Sequence, residues 1–226
     1  MDHAQLMDAM KSRHAVRRYT DQVIPEDVRA ELAAAIARGN AESGLNIQAV
    51  YDEPEGFRGG MAHYGSFRGV RNYLVLVGQT GTDLDTTCGY YGQRIVLLAQ
   101  YLGLNSCWVG LTYNKRKIQA EIGEDEKMAL VIALGYGENT GKPHKSKPLE
   151  DLGRVRGGAA MPDWFRRGTE AASLAPTGLN QQKFLFELDG DAVRATTGSG
   201  AYTRVDLGIV KYHFEIGADS PDWHWA

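Results

Sequence analysis

The chain carries the same eight-residue pattern twice. Residues 41–48 read AESGLNIQ and residues 175–182 read APTGLNQQ, which agree at Ala, Gly, Leu, Asn and the final Gln. A proline precedes each stretch, Pro25 before the first and Pro162 before the second, and each opens a helix-like segment. Since the letters and their context both repeat, we interpret the pattern as an internal duplication of helix, turn and a segment that enters a sheet.

Length and composition limit the class of protein. The 226 residues suffice for one large domain, which the duplication divides into halves at about 1–150 and 151–226. A net charge of −3 argues against nonspecific nucleic-acid binding. Without an apolar run of about 18 residues or a signal-peptide core, we expect no membrane span and a cytoplasmic location. Cys88 and Cys107 lack metal-ligand spacing and the histidines are scattered, so we expect buried thiols and no metal cluster.

Hydrophobic periodicity and turn residues predict an α+β fold. Helices are expected at residues 3–12, from Pro25 to about 39, at 86–102, near 114–122, and at 163–173 and 203–217. Apolar runs typical of strands occur at 72–78, 106–111, 129–135, 183–189 and about 192–198. We therefore expect a central sheet of about five strands flanked by long helices, and a Gly-rich loop at 51–71.

A basic cluster near the N-terminus is the first candidate binding site. The stretch SRHAVRR places Arg13, His14 and Arg17 close together where a helix ends. Guanidinium groups with backbone N–H donors suit a phosphate monoester, although a solvated basic face at a helix end has the same composition. Lys145 and Lys147, in the polar segment HKSKP, would close a phosphate clamp if the fold brings them to the arginines.

The stretch GLNSCWVG at residues 103–110 is the second candidate. Gly110 allows the backbone to approach a flat ring closely, and an amide at this point can donate to a ring nitrogen. Trp108 is more often a core residue than a cofactor platform. In the octets, Asn46 and Asn180 carry both a donor and an acceptor, and pinning of a tight turn is favoured over contact with a heterocycle.

These motifs together resemble the nitroreductase-like family of FMN enzymes. The stretch from Arg13 to Tyr19 is similar to the family's Arg-Arg-Ser-x-Arg-x-Phe opening, with Ala15 in place of its serine. Residues 103–110 resemble its Gly-Leu-Gly-Ser-Cys-Trp segment, and residues 145–148 resemble its basic segment near the phosphate. The resemblance covers most of the chain and implies a nitroreductase-like fold with a central, mostly antiparallel sheet.

Members of this family are intertwined homodimers, in which two subunits contribute the arginine-rich segment and a Pro-Ser-x-x-Asn-x-Gln loop to one flavin. The resemblance therefore implies a fused dimer, a monomer or weak homodimer whose second octet replaces the partner's loop. Glu42, at the proline position of the first octet, would repel a flavin phosphate, so one site per chain is expected. The residues implied to contact FMN are Arg13, His14, Ala15, Arg17, Trp108, Val109, Gly110, Lys145, Lys147, Pro176, Thr177, Asn180 and Gln182.

The resemblance implies an NAD(P)H-dependent FMN oxidoreductase. NAD(P)H would deliver hydride to flavin N5, and a nitroaromatic, a quinone or a similar flat electrophile would then take it from the same ring face. The segment 55–68, with Phe57, His63, Tyr64 and Phe67, is expected to cover the substrate or to be a disordered linker. Three alternatives stay open: another flavin reaction on the same fold, a flavin-binding or ligand-sensing protein without turnover, and a structural dimerisation module.

Overall fold

The computed structural model describes residues 1–81 and 83–226. Its helices in these ranges are α1 (His3–Ser12), α2 (Glu26–Ser43), α3 (Gly60–Tyr64), α4 (Leu84–Tyr101), α5 (Asp163–Ser173) and α6 (Thr203–Ala218). Its strands there are β1 (Gln48–Val50), β2 (Asn72–Gln79), β3 (Asn105–Val109), β4 (Glu126–Gly135), β5 (Gly153–Val155), β6 (Phe184–Asp189), β7 (Ala192–Thr197) and β8 (His224–Trp225). The predicted α+β class is confirmed.

The strands form two four-stranded sheets. In the first, the order is β1–β2–β4–β3 and every pair is antiparallel. In the second, β6 and β7 form an antiparallel pair, and β5 and β8 flank it in parallel pairing. The expectation of one central sheet of about five strands is therefore wrong. The predicted runs divide between the two sheets, and β1, β5 and β8 are too short to give a periodicity signal.

One apolar core joins the two sheets through the long helices. Leu74 on β2, Ile95 on α4, Phe186 on β6 and Phe214 on α6 belong to a single buried cluster. A second cluster includes Tyr73 and other residues of β2 that alternate with those of the first cluster. Strand β2 is thus buried on both faces, which explains why its sequence is a continuous apolar run rather than an alternating one.

Helices α4 and α6 cross at two glycines. A Cβ at Gly89 would overlap the carbonyl oxygen of Val205, and a Cβ at Gly208 would overlap the carbonyl oxygen of Thr86. The contact is reciprocal, because each glycine meets the residue three positions before the other. Such close backbone packing requires residues without a side chain. Each helix follows an antiparallel strand pair, β1–β2 before α4 and β6–β7 before α6, so the crossing joins corresponding parts of the two predicted halves.

The predicted end of one helix and one predicted short helix are wrong. Helix α2 does not stop near residue 39 but continues through Ser43, because Ala41, Glu42 and Ser43 are compatible with a helix and Gly44 ends it in a left-handed conformation. The short helix expected near 114–122 is a turn and an extended segment. Tertiary hydrogen bonds hold that segment extended, since the Tyr73 hydroxyl accepts from the Gln119 N–H and the Gln48 side chain accepts from the Glu121 N–H.

The segment 51–71 is an ordered part of the fold. It contains a short 3₁₀ turn at Glu55–Phe57 and helix α3. Phe57 and Phe67 are buried in the second cluster, with ring centroids 5.3 Å apart. The disordered-linker alternative is wrong, and the two phenylalanines are core residues rather than a cover. Of the four side chains expected to face a substrate, only His63 and Tyr64 are exposed.

The structure also bears on the expectations from composition. Cys88 and Cys107 are buried free thiols, as expected, and burial raises the pKa of Cys88 to about 12. Across residues 1–81 and 83–226, no helix combines the length and the apolar character that crossing a membrane requires.

Candidate functional site

Arg13 is a buried guanidinium at the end of α1. Its backbone N–H donates to the carbonyl oxygen of Ala9 and caps the helix, while its side chain turns inward and is only 4% exposed. The Nε atom has no hydrogen-bond partner among the described residues. Burial lowers the pKa of Arg13 to about 10. Since an unpaired buried cation is costly, this position is suited to an anion that supplies the missing acceptor.

The residues after Arg13 lie along the start of strand β3. The Val16 N–H donates to the carbonyl oxygen of Ser106 at 3.1 Å, and Ala15 forms an isolated parallel bridge with the same residue. His14 is half-buried against Gly141, and Arg17 is exposed. The predicted N-terminal motif therefore runs beside the stretch that holds Trp108, Val109 and Gly110.

The second octet is clamped onto the basic loop. The side-chain amides of Asn180 and Gln182 both donate to the carbonyl oxygen of Lys145, at 3.0 and 2.9 Å. In return, Gln182 accepts from Lys147: its Oε1 from the backbone N–H at 2.9 Å and its carbonyl oxygen from the ammonium at 2.8 Å. The structure thus brings these predicted residues together, and two donors of the Lys147 ammonium are left for other acceptors. The Asn180 side chain thus holds the octet to the backbone of the basic loop, and its contact with a cofactor stays a prediction.

The octet itself is a tight turn with unusual backbone angles. Leu179, Asn180 and Gln182 all have left-handed φ, at 52°, 55° and 43°. The Thr177 hydroxyl accepts from the Gln182 N–H at 3.1 Å and closes the turn. Left-handed non-glycine residues persist only where the surroundings fix them, and the clamp provides that constraint. Pro176 and Thr177 are half-buried at the start of the turn.

The arginine segment and the octet approach each other at the C-terminal end of α5. Ala9 and Met10 of α1 belong to the same buried cluster as Ala171 of α5. The carbonyl oxygen of Ser173, at the end of α5, accepts from the Ser146 hydroxyl at 3.0 Å and lies 2.9 Å from His144 Nε2. The N-terminal segment, the basic loop and the second octet therefore all pack around the end of one helix.

Gly110 faces an aromatic side chain that sequence reasoning missed. Strand β3 ends at Val109, and a Cβ at Gly110 would overlap the ring of Tyr202. Tyr202 precedes α6 with a left-handed φ of 62°. Its position in a Gly-rich turn before the last helix is the sole sequence signal. Trp108, by contrast, packs on Gly92 of α4, and a contact between its indole and a flavin stays a prediction.

A buried polar chain fixes the Trp108 ring. The indole N–H donates to Gln93 Oε1 at 3.1 Å, and Gln93 Nε2 lies 2.8 Å from His213 Nε2. His213 Nδ1 lies 3.0 Å from the carbonyl oxygen of Ala171, which can only accept, so Nδ1 carries the proton and Nε2 accepts from Gln93. Burial lowers the pKa of His213 to about 3 and keeps the ring neutral. No sequence pattern marks this chain, because its members lie on four different elements.

Asp206 of α6 holds the other side of the octet. Its Oδ1 accepts from the Gly178 N–H at 2.9 Å, and its Oδ2 accepts from the Gln181 side chain at 2.8 Å. Burial raises the pKa of Asp206 to about 6, although both hydrogen bonds act in the opposite direction. No sequence pattern singles out Asp206.

The first octet makes the same clamp on a different loop. The side-chain amides of Asn46 and Gln48 both donate to the carbonyl oxygen of Glu121, at 3.2 and 2.7 Å. Asn46 also donates to the carboxylate of Glu126. Glu42 lies on α2 and forms an ion pair with Arg94, which lowers the pKa of the Glu42 carboxyl. The loop that the first octet holds is therefore acidic where the loop held by the second is basic.

Comparisons with solved structures agree with this architecture. A "putative nitroreductase" from Thermotoga maritima is similar with a TM-score of 0.68 at 19% identity, over 96% of this chain and 85% of the other. A nitroreductase family protein from Streptococcus pneumoniae TIGR4 matches with a TM-score of 0.51 at 17% identity, over 65% of this chain and 97% of its own. A "putative NADH dehydrogenase/NAD(P)H nitroreductase" from Parabacteroides distasonis gives 0.50 at 18% identity, over 66% and 96%.

These likenesses, all below 20% identity, concern the fold. No curated protein matches the sequence. The sequence does match a protein family, described as "Putative TM nitroreductase", over residues 5–218. This match includes the arginine segment, strand β3, the basic loop and both octets. The chain therefore belongs to this nitroreductase family.

Proposed function

We propose that the chain binds FMN at the junction of the arginine segment, the basic loop and the second octet, and that it is an NAD(P)H-dependent oxidoreductase. The observation that carries the proposal is the side chain of Arg13, which is buried, positively charged and unpaired at Nε. A phosphate monoester would supply the acceptor that this guanidinium lacks. Family membership and the likeness to nitroreductase structures support the same class of reaction.

The donors of the site fit the phosphorylated end of FMN. Arg13 would hold the phosphate, with the exposed Arg17, Lys145 and Lys147 around it. The Lys147 ammonium is already oriented by the carbonyl oxygen of Gln182, so its remaining donors have a defined direction. The cationic groups would thereby replace the water that the phosphate gives up.

The segment at the end of β3 would face the flat part of the cofactor. The amides of Val109 and Gly110 would donate to the ring, and Pro176 and Thr177 of the octet would contact the ring or the ribitol. Bound FMN would supply the redox centre that accepts hydride from NAD(P)H and reduces a nitroaromatic, a quinone or a similar flat electrophile. The chain's own contribution is to orient these groups and exclude water.

One site per chain, in a fused-dimer arrangement, is part of the proposal. The acidic loop at the first octet would repel a phosphate, whereas the basic loop at the second attracts it. About two thirds of this chain covers nearly all of the pneumococcal and Parabacteroides structures, so a further third has no counterpart in a single such subunit. The reciprocal crossing of α4 and α6 also supports two related halves. A monomeric state and a cytoplasmic location stay predictions.

The absorbance spectrum of the freshly purified protein tests the proposal. We expect flavin bands, bleaching on anaerobic addition of NADPH, and recovery of the bands on addition of a quinone. A protein that is colourless and does not take up added FMN would overturn it. Retention of FMN without bleaching would favour a flavin-binding protein without turnover.

A further inference from the structure

A second concave site includes residues of the loop that follows strand β3. It is a cavity of about 380 Å³ between the segment that begins at Arg58 and the loop that ends at Arg116. This volume is within the range of small-molecule sites. None of the proposed flavin contacts belongs to its lining, whereas Arg58, Gly59, Gly60 and Met61 lie in the segment 55–68 of the substrate-cover prediction.

The charge of the cavity is uniformly positive. Arg58, Lys115 and Arg116 line it, and none of the described lining residues is acidic. Arg58 forms an exposed ion pair with Glu55, while Lys115 and Arg116 have no ion-pair partner among residues 1–81 and 83–226. These two cations are adjacent in the sequence. They repel each other unless an anion lies between them.

Hydrogen bonding and aromatic packing hold the walls of the cavity in place. The Asn114 N–H donates to the carbonyl oxygen of Gly56 at 2.8 Å and fixes the two loops to each other. Tyr113 is buried against Phe57, with ring centroids 6.3 Å apart. Two lining glycines, Gly59 and Gly60, leave open space where a Cβ would project, and Gly59 has a φ of 104° that favours glycine.

The cavity and the flavin site share one short stretch of chain. Gly110 is three residues before Tyr113, a separation of at most about 10 Å. Tyr202, which packs on Gly110, acts electrostatically on Tyr113, whose pKa is raised to about 12 mainly by burial. Gly110 lies six residues before Arg116, at most about 20 Å away, so one extended dinucleotide can reach from the first residue to the second.

We propose that this cavity binds the 2′-phosphate of NADPH and makes the chain prefer NADPH to NADH. The inference rests on the proposed function, which supplies the need for a nicotinamide donor. A terminal phosphate monoester carries close to two negative charges at neutral pH, which matches the two free cations of Lys115 and Arg116. NADH lacks this group and would leave both cations unpaired.

Titration calorimetry with adenosine 2′,5′-bisphosphate tests the cavity without requiring any turnover. In the double variant Lys115→Gln/Arg116→Gln, we expect the Kd to rise at least roughly tenfold, since two charge-assisted hydrogen bonds are lost. Lys117→Gln is the matched control, because Lys117 is exposed in the same basic run but does not line the cavity. Its Kd should change by less than about twofold.

Adenosine 5′-monophosphate and inorganic phosphate complete the test. Both should bind more weakly than the bisphosphate and respond little to the double variant. Equal losses in the double variant and in Lys117→Gln, or equal affinity for all three probes, would overturn the proposal.

The cavity and the proposed function can fail separately. Titrations are done on the protein as purified and after saturation with FMN. If FMN binds and is reduced equally well by NADH and NADPH in both wild type and double variant, the cavity proposal fails and the flavin function stands. If the bisphosphate binds as expected but no FMN is taken up, the cavity binds a phosphorylated nucleotide, and the flavin function and the assignment to NADPH both fail.

Discussion

In the first octet, Asn46 and Gln48 both donate to the carbonyl oxygen of Glu121, and in the second, Asn180 and Gln182 both donate to that of Lys145. The glutamine Oε1 of each pair also accepts a backbone N–H from the loop it holds. Two stretches 134 residues apart thus make the same hydrogen bonds at corresponding positions. The clamp is a property of the shared Asn and Gln and does not by itself make a binding site.

The two copies differ in backbone and in charge. Pro176 follows the end of α5 and separates the second octet from that helix, whereas Glu42 lies within α2, which includes the first three residues of the first octet. The second clamp holds a loop with Lys145 and Lys147, and the first holds a loop with Glu121 and Glu126. The same arrangement of hydrogen bonds therefore occurs beside a basic loop at one octet and beside an acidic loop at the other.

The largest expected difference comes from removing one charge near each octet, Arg13 for the second octet and Glu42 for the first. We expect Arg13→Met to weaken FMN binding on the order of a thousandfold, about 4 kcal/mol, since it deletes a buried charge and its hydrogen bonds. Methionine keeps the apolar stem, and no carboxylate loses a partner, so the flavin-free variant should be at least as thermostable as flavin-free wild type. Flavin fluorescence titration and thermal unfolding measure the two effects.

Glu42→Gln is the matched removal of charge at the first octet. Because Glu42 is occupied with Arg94 on the surface, FMN affinity should stay within about twofold of wild type. Equal FMN affinities for Arg13→Met and Glu42→Gln would contradict the idea that the two copies differ in function.

Asp206, which holds the second octet, should make the stability of the protein depend on pH. Its pKa rises from 3.8 in the unfolded chain to about 6 in the fold, so between these values the native state holds a proton that the unfolded state has released. Its contribution to stability is therefore lost as pH rises through this window, by about 3 kcal/mol in total. Asp206→Asn removes this dependence.

Urea unfolding at pH 4 and pH 7 checks this prediction. The stability of Asp206→Asn relative to wild type should improve between the two pH values by about 2.4 kcal/mol, less than the full change because unfolded Asp206 is already partly ionised at pH 4. Asp8→Asn, which changes an exposed carboxylate on α1, should run parallel to wild type. If the stability of Asp206→Asn changes with pH as the wild type does, the pKa of Asp206 is not raised in the fold.

The glutamine of each octet allows its contribution to stability to be separated from its contribution to FMN binding. Gln182→Ala and Gln48→Ala each remove two side-chain hydrogen bonds to a loop, so both should lower the free energy of unfolding by about 2 kcal/mol. Only Gln182→Ala should also weaken FMN binding, roughly tenfold, because it loosens the loop that carries Lys147. Urea unfolding and flavin titration on the same samples give both numbers. Equal flavin affinity in the two variants would remove the second clamp from the site.

Much of the local structure could be predicted because it depends on short-range patterns. The predicted spans of α1 and α5 coincide with the observed helices, and Gly103 has the left-handed φ expected after a helix end. The helix expected near 114–122 failed, since the Tyr73 hydroxyl and the Gln48 side chain hold that segment extended from distant elements. The prediction of one central sheet failed for the same reason, because strand pairing depends on partners that are distant in the sequence.

By itself, the sequence determined the α+β class, the long helices, the repeated octet and the resemblance to the nitroreductases, because periodicity and turn chemistry depend on residues that are close in the sequence. The tertiary structure alone decided that Arg13 is buried and unpaired, that Glu42 is paired with Arg94, and that Tyr202 and Asp206 face the candidate site. Burial and ion pairing depend on residues that are distant in the sequence, so the sequence alone does not show whether a charged side chain is buried without a partner or paired on the surface.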